Sequence, residues 1–338
     1  MAMTIYDISK KAGVSIATVS RVLNGSENVR PSTRKKVMDV IDKYDYTPNA
    51  FARGMGLHSL KTIGILCADS SDLFLAKAVY FLEQELQANG YESLLCCTGY
   101  NLDIKKNYLN LILSKKVDSI ILVGSHFIGF NEDENQYIKD VSTQVPIMLL
   151  NASFDYPNVY STLCDDYGTM FEAATEMIQS GITDILYLYD SKSYSGLKKL
   201  HGFCDAMKEH NIPGFEKLIH FYDGNIEHLN EVADFVARIA TKGTSFHGIM
   251  TSDDSLAIGS IKYAQKKGIR IPEELSVMGY NNSMLTNCCT PELTSVDNRL
   301  ETQTHQLVQT LLGVLAGEEM PKKSIFSGKI IKRGTTLF

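Results

Sequence analysis

The sequence lacks the segments that carry proteins into or across membranes. None of its apolar runs approaches the roughly 20 residues that a membrane-spanning helix needs. The opening stretch, MAMTIYDISKKAG, contains Asp7, Lys10 and Lys11, which interrupt any apolar signal core. We therefore expect a protein that is neither membrane-bound nor secreted and that works in the cytoplasm.

Motifs for catalysis and metal binding are also missing. The chain has no G-x-S-x-G elbow, Walker loop or H-E-x-x-H, and no strand is followed by G-x-G-x-x-G. Its 8 histidines are scattered, and its 7 cysteines include no C-x-x-C pair. We expect reduced thiols, no catalytic residue, no metal and no cofactor. An enzyme would have to use a site without a recognisable motif.

Charge is distributed unevenly along the chain. The formal net charge is −6 overall, yet residues 1–60 carry nine Lys and Arg against five acidic residues. A basic N-terminal region on an acidic remainder is typical of a polyanion-binding module joined to a second unit. The acidic part would repel DNA, which limits contact to the basic region.

Residues 1–46 predict three short helices. Thr4 and Asp7 form a T-x-x-D capping pattern that opens a helix over about residues 5–12. Gly13 is suited to end this helix, and Ser15 can cap a second helix over about residues 16–23. Pro31 lies near the first turn of the third helix. The first two helices and their three-residue turn match the spacing of a helix-turn-helix, whose second helix enters the DNA major groove.

Helical spacing places polar and apolar groups on the outer face of the second helix. Arg21 can donate two hydrogen bonds to a guanine, while Ile16 and Ala17 can contact thymine methyl groups. Short polar side chains around them are suited to phosphate oxygens. These are Thr4, Tyr6, Ser15, Thr18, Ser20 and Asn24. Capping and solvation are the simpler roles for the same groups, and Thr4 and Ser15 are expected to cap their helices in addition to any phosphate contact.

From Lys61 onward, runs of Ile, Val and Leu alternate with longer amphipathic stretches. The apolar runs include TIGILCA, DSIILVG, DILYLYD and ELSVMGY, and one intervening helical pattern is LAKAVYFLEQELQANG. Strands separated by helices indicate parallel sheet covered on both faces. Eight or more strands predict two doubly wound subdomains rather than one. Residues 47–60, which contain Pro48, Gly54 and Gly56, predict a linker that is not stably helical alone.

Several segments together resemble the lactose-repressor (LacI/GalR) family, with a headpiece closest to its catabolite control protein branch. They include TIYDISKKAGVS, TVSRVLNG, VRPSTRKKV and YTPNAFARG, followed by TSDDSLAIG, ELSVMGYNN and PELTSV. The resemblance implies a transcriptional repressor that binds a pseudo-palindromic operator as a homodimer. It also implies a hinge helix over 47–60 with Met55 as an apolar minor-groove wedge. The further DNA contacts that it implies are Asn28, Thr33, Tyr46 and Asn49.

The remainder resembles periplasmic sugar-binding proteins, in which two lobes close on a small molecule. The resemblance implies a first lobe of residues 61–161 and 291–321 and a second lobe of residues 162–290 and 322–338, with crossings near Ser161, Thr290 and Pro321. An effector would lie between the lobes, at the carboxyl ends of the strands. The positions that the resemblance assigns to this effector site are Asp69, Phe74, Asn151, Lys199, Asp253 and Asn281, with Asp72 in the same loop as Asp69.

Two of these positions depart from the family's pattern. Lys199 occupies the loop position where sugar- and purine-binding members usually have arginine, and Asn281 stands where they have an acid. Lysine is not an equivalent bidentate donor. The sequence therefore leaves two effectors open, a sugar or sugar derivative and a phosphorylated carrier protein. The helix pattern DNRLETQTHQLVQTLL has only Arg299 as a basic group, which is few for a phosphoserine site.

Overall fold

The computed structural model describes residues 3–23, 26, 28–46, 59–241 and 243–338. Its N-terminal part contains three helices, α1 (Ile5–Ala12), α2 (Ile16–Leu23) and α3 (Pro31–Lys43). Gly13 ends α1 in the left-handed conformation with φ of 65°. The predicted helices, the turn between α1 and α2 and the proline at the start of α3 are therefore confirmed.

A small apolar core holds the three helices together. Ile8, Val19 and Val37 are fully buried, one from each helix, and partly buried groups such as Val14 and Val40 surround them. Lys11 of α1 donates to the hydroxyl of Tyr44 at 3.3 Å and lies over its ring. This core fixes the angle between α1 and α2, because each helix buries one face and leaves the other exposed.

The first lobe is a six-stranded parallel sheet covered by helices. Its strand order is β11-β5-β4-β3-β1-β2. The elements in chain order are β1 (Thr62–Cys67), α4 (Leu73–Ala88), β2 (Glu92–Cys97), α5 (Leu102–Ser114), β3 (Ser119–Val123), α6 (Gln136–Ser142), β4 (Ile147–Leu150), β5 (Val159–Cys164), α11 (Leu300–Leu315) and β11 (Lys323–Phe326). Apolar clusters lie on both faces of this sheet. Such two-sided burial accounts for the continuous apolar runs of the central strands.

The second lobe repeats this architecture with strand order β12-β10-β9-β8-β6-β7. Its elements are α7 (Asp166–Gln179), β6 (Ile185–Tyr189), α8 (Tyr194–Glu209), β7 (Ile219–Phe221), α9 (Leu229–Thr241), β8 (Gly248–Thr251), α10 (Asp254–Lys267), β9 (Ser276–Tyr280), β10 (Thr294–Asp297) and β12 (Lys329–Ile331). Only β12 among these described strands is antiparallel to its neighbour. The predicted pair of doubly wound subdomains is confirmed.

The predicted crossings between the lobes are wrong by several residues. All of β5 to Cys164 pairs in the first sheet, and β10 (Thr294–Asp297) pairs with β9 in the second. The next strand, β11, returns to the first sheet. The chain therefore crosses after Cys164, after Asp297 and after Phe326, each beyond the predicted point. The apolar pattern does not mark the residue at which a strand stops pairing with its sheet. The sequence therefore placed each crossing too early.

Candidate functional site

The outer face of α2 carries the three residues that the sequence assigns to base contacts. Ile16 is 39% exposed and Ala17 and Arg21 are exposed, whereas Val19 and Val22 are buried against α1 and α3. Within the described residues, no ion pair or hydrogen bond engages the Arg21 guanidinium. An exposed helix face with an unengaged arginine has the geometry needed to read a major groove.

Two hydroxyls near this face act as helix caps. The Thr4 hydroxyl accepts from the Asp7 amide at 3.4 Å, and the Asp7 carboxylate accepts from the Thr4 amide at 2.9 Å. Ser15 accepts from the Thr18 amide at 3.1 Å, and its hydroxyl contacts that of Thr18 at 2.8 Å. These bonds fix the first turn of each helix. Hydroxyl oxygens have two lone pairs, and a hydroxyl that caps a helix can also meet a phosphate oxygen.

The other residues assigned to DNA lie in different surroundings. Tyr6 is 68% exposed, Asn28 is exposed and Thr33 is half-buried at the start of α3. The assignment of Tyr46 is a poor fit, because its side chain is 9% exposed and packs in the three-helix core. Ser20 is half-buried on α2. Asn24, Asn49, Met55 and most of the predicted hinge, residues 47–58, lie outside the described residues.

A cleft between the two lobes encloses a large cavity. It has a volume of about 720 Å³ and is lined by the segments after β1, β2 and β3 of the first lobe and after β6, β7 and β8 of the second. An inner recess shares Asp72, Asp190 and Asp253 with it. Both sheets therefore point their carboxyl ends into one space, as open parallel sheets do at ligand sites.

All six residues assigned to an effector line this cleft. Asp69 borders the main cavity, Asp253 borders both chambers, and the other four border the inner recess. Three capping side chains hold the walls in place. Asp72 accepts from the Leu75 amide at 2.7 Å, Ser193 from the Gly196 amide at 3.3 Å and Asp253 from the Ser255 amide at 2.7 Å. The cleft wall is thus built from the N-termini of α4, α8 and α10.

Lys199 and Asn281 face the cleft differently from the expectation. Lys199 lies inside α8 rather than in a loop and is 7% exposed. Its ammonium donates to the Ser252 carbonyl at 3.1 Å and lies 3.9 Å from the centre of the Tyr280 ring. The Asn281 amide donates to Asp253 at 2.9 Å and accepts from Asn298 at 3.0 Å. Both groups are therefore held by protein partners at the floor of the recess.

The cleft residues that escaped the sequence analysis include Tyr100, His126, Asp190 and Tyr222. Each follows a strand within three residues, so the rule that ligands bind at the carboxyl ends of parallel strands could have indicated them. Two cross-lobe contacts join this region: Ser125 donates to Ser193 at 2.8 Å, and the Ser191 hydroxyl contacts the His126 ring at 3.4 Å. Tyr187, by contrast, stacks on Phe203 at 4.5 Å in a buried core, where it has a packing role.

The cleft is acidic. Burial, together with the charges of Asp253 and Asp69, raises the pKa of Asp72 to about 6. Burial and then the charge of Asp190 raise the pKa of Asp253. Burial and the charge of Lys105 lower the pKa of His126 to about 4, so its ring is neutral near pH 7. No cluster of three or more His, Cys, Asp or Glu in the described parts of the chain is arranged to hold a metal ion.

Sequence comparison places this architecture among known regulators. Residues 4–49 match the family model for bacterial regulatory proteins of the lacI family, and residues 174–336 match a periplasmic binding protein-like domain. An HTH-type transcriptional regulator of Lachnoclostridium phytofermentans is 50% identical over 336 residues, which are 99% of this chain and 100% of that protein. The chain belongs to the lacI family of bacterial regulatory proteins.

Other relatives of this lacI-family regulator agree in function and fold. Catabolite control protein A of Priestia megaterium is 33% identical over 303 residues, covering 88% of this chain and 87% of that protein. A lac repressor dimer bound to operator and the anti-inducer ONPF has the same fold, with a TM-score of 0.88 at 21% identity and full coverage of both chains. The protein is thus a DNA-binding transcriptional regulator with an effector-binding core, and its relatives are regulators rather than enzymes. No helix within the described ranges is long and apolar enough to cross a membrane.

Proposed function

We propose that this protein is a cytoplasmic repressor that binds a pseudo-palindromic operator as a homodimer, and that a small molecule in the inter-lobe cleft controls its affinity for DNA. The observation that carries the proposal is the exposed Ile16–Ala17–Arg21 face of α2 on a chain whose second part encloses a 720 Å³ cleft. The α2 face would bind DNA and the inter-lobe cleft would bind a ligand. Allosteric control requires two such distinct sites.

Base and phosphate contacts are divided among different groups of the headpiece. Arg21, Ile16 and Ala17 contact base edges in the major groove. Phosphate contacts come from the residues around them, namely Thr4, Tyr6, Ser15, Thr18, Ser20, Asn24, Asn28, Thr33 and Asn49, with Met55 as the minor-groove wedge of a hinge over residues 47–60. Tyr46 is left out of this set because its side chain packs in the headpiece core.

Control by the effector acts through the lobe that follows the hinge. Ser59 donates to the Asp118 carboxylate at 2.7 Å, and the Leu60 and Thr62 amides donate to it at 3.3 Å and 3.2 Å. Asp118 therefore fastens the end of the linker to the first lobe, directly before β3. An effector that favours one lobe arrangement would change the spacing of the two linker ends in a dimer. It would thereby shift the equilibrium between a state that binds the operator and a state that does not.

A patch of exposed apolar side chains on the first lobe supports the homodimer. Its members lie on both sides of the β2 edge of the sheet, because successive strand residues point to opposite faces. They are Tyr80 on α4, Leu94 and Leu95 on β2, and Ile104 and Leu111 on α5, each between 38% and 52% exposed. An exposed edge strand with large apolar groups marks an interaction surface. We call these five residues the β2 patch and assign the subunit interface to it.

The dimer is expected to dissociate when a charge enters the β2 patch. Leu95→Glu should convert the dimer to a monomer at micromolar concentration, because a carboxylate at an apolar interface loses its hydration without a partner. Sedimentation velocity measures the change. Ile325→Glu is the matched control, since Ile325 is 55% exposed on β11 at the opposite edge of the same sheet. If Leu95→Glu stays dimeric while Ile325→Glu dissociates, the subunit interface lies at the β11 edge instead.

A phosphorylated carrier protein is the less favoured effector in this proposal. The α11 sequence itself, LETQTHQLVQTLLGVL, contains no lysine or arginine, and Glu301 and His305 are exposed on it. Two cations lie beside its start, namely Arg299, which is its N-cap residue, and Lys77 of α4, which lines the same pocket. His305 contacts Glu85 at 3.1 Å. A phosphoserine site needs cations in reach of the phosphate, so we favour the small molecule, a sugar or sugar derivative.

Selection from random DNA tests the proposal. Full-length protein should enrich a pseudo-palindromic sequence from a random duplex library, and footprinting on the enriched site should protect two half-sites related by a two-fold axis. Because phosphate contacts release counterions, affinity should fall steeply with salt. Enrichment of no duplex sequence at any salt concentration would overturn the assignment of α2 to base contacts.

A further inference from the structure

The inter-lobe cavity gathers carboxylates from both lobes. Asp69 and Asp72 follow β1 in the first lobe, while Asp190 and Asp253 follow β6 and β8 in the second, and all four line the same chamber. Asp223 and Glu227, after β7, border it as well. Like charges that face each other across a cleft oppose its closure, and the repulsion grows as water leaves.

Cations that would balance these carboxylates are scarce in the protein itself. Among the lining residues that the structure describes, Lys199 is the only lysine or arginine. Its ammonium donates to the Ser252 carbonyl and lies over the Tyr280 ring at the floor of the recess. Its charge lowers the pKa of Asp253 by less than burial and the charge of Asp190 raise that pKa. His126 is half-buried with a lowered pKa and adds no positive charge near pH 7. One ammonium does not balance six carboxylates, so most of the repulsion is left for the ligand to relieve.

We propose that the effector is a cation, a hydroxylated ring that carries a protonated amine and places that amine between Asp72 and Asp253. This inference rests on the proposed function, because it names the chemical class of the effector that occupies the same cleft. An ammonium between carboxylates of opposite lobes would replace repulsion by two charge-assisted hydrogen bonds. Closure then depends directly on the ligand's charge.

The remaining walls suit a hydroxylated ring. Tyr100, Phe221 and Tyr222 border the main cavity and offer apolar faces and a phenol edge. Aromatic faces attract cations as well as the C–H faces of sugar rings. Asp69, Asp190 and Asp223 can accept hydrogen bonds from ligand hydroxyls. A cavity of 720 Å³ is large enough for one or two sugar rings. Amino sugars combine all of these features, whereas a phosphorylated sugar would add an anion to an acidic chamber.

Thermal unfolding with a series of similar sugars that differ in charge tests the inference. The probes are glucosamine and its β-1,4-linked disaccharide, compared with N-acetylglucosamine, glucose, cellobiose and glucosamine 6-phosphate. Glucosamine or its disaccharide is expected to raise the melting temperature of the full-length protein, because a ligand that binds only the native state stabilises it. The acetylated, neutral and phosphorylated probes should raise it less or not at all.

Charge-neutralising variants locate the amine. Asp72→Asn and Asp253→Asn keep a capping side chain at α4 and α10, since asparagine caps as well as aspartate. Each is expected to weaken amine binding about tenfold or more, which is the loss of one charge-assisted hydrogen bond. Asp140→Asn, an exposed position on α6 away from the cleft, should bind as the unmodified protein does.

Operator binding without ligand, measured on the same samples, separates the two proposals. Failure to bind any operator overturns the proposed function and leaves the amine result to stand on its own. The amine assignment is overturned if no amine shifts the melting temperature, if N-acetylglucosamine or the 6-phosphate binds as tightly as the amine, or if the aspartate variants retain full affinity.

Discussion

Arg21→Ala is expected to remove sequence discrimination at one base pair in each operator half-site. The side chain is exposed on α2 and is not engaged in the described structure, so its two donors are available to a guanine. A bidentate arginine–guanine contact discriminates by about 1–3 kcal/mol. The variant should therefore bind the operator more weakly and lose the preference for guanine at that position. Titration against a set of operators with single base changes measures both effects.

Lys35→Ala provides the matched control for this experiment. Lys35 is exposed on α3, outside the base-reading face, and can contribute only a phosphate contact. Its removal should weaken binding evenly across sequences and lower the slope of log affinity against log salt by at most about one. Both variants should keep the folded headpiece, because neither side chain belongs to the buried core. An Arg21→Ala protein with unchanged base preference would exclude this arginine as a reader of sequence.

Asp72→Asn is expected to make the ligand-free protein more stable at neutral pH. The pKa of Asp72 is raised to about 6, first by burial and then by the nearby Asp253 and Asp69. In the unfolded chain this carboxyl loses its proton near pH 4. Between these two values the unfolded state binds fewer protons than the native state, so wild-type stability falls as pH rises toward 6 and then stays level.

The Asp72→Asn variant does not lose stability in this way, because asparagine has no proton to release. Its advantage over wild type should be small near pH 4, grow between pH 4 and pH 6, and level off above pH 6 at about 2–3 kcal/mol. Denaturant unfolding at a series of pH values measures the difference, and subtraction of the wild-type curve removes the other titrating groups, including His126. Asp140→Asn should show no pH-dependent advantage. A flat difference for Asp72→Asn would mean that the Asp72 carboxyl is ionised in the native state across this range.

The effects of Asp72→Asn on stability and on amine affinity have a single physical cause. Charge held against repulsion in the ligand-free cleft lowers stability, and the same charge increases affinity for a compensating ligand. Asp72→Asn should therefore gain stability and lose amine affinity together. Such opposed effects are common where a site is arranged for its ligand rather than for the free protein.

Local patterns predicted the elements of the headpiece correctly. The Thr4–Asp7 capping box, the left-handed Gly13 and Pro31 at the start of α3 are decided by residues close in sequence, and each is present in the structure. The central strands were predicted equally well, because burial on both faces requires continuous apolar runs such as those of β3 and β4. The strands β7, β11 and β12 were not predicted. Each is a short, partly exposed edge strand with no such run.

The resemblance assigned the six effector positions, while the tertiary structure decided how they are used. Lys199 was expected to face a ligand but is held by Ser252 and Tyr280, and Asn281 is held by Asp253 and Asn298. Tyr46 was expected on the DNA side and packs inward. These outcomes depend on partners that are distant in sequence, so no local pattern contains them.

By itself, the sequence determined the class of the protein: a capped helix-turn-helix followed by alternating strands and helices. These features arise from backbone hydrogen bonding and from the period of apolar residues, which act over a few positions. Only the tertiary structure decided where the chain crosses between lobes and which carboxylates share the cleft. Asp72 and Asp253 are far apart in the chain yet border one cavity. Their electrostatic interaction exists only because two sheets point their carboxyl ends into the same space.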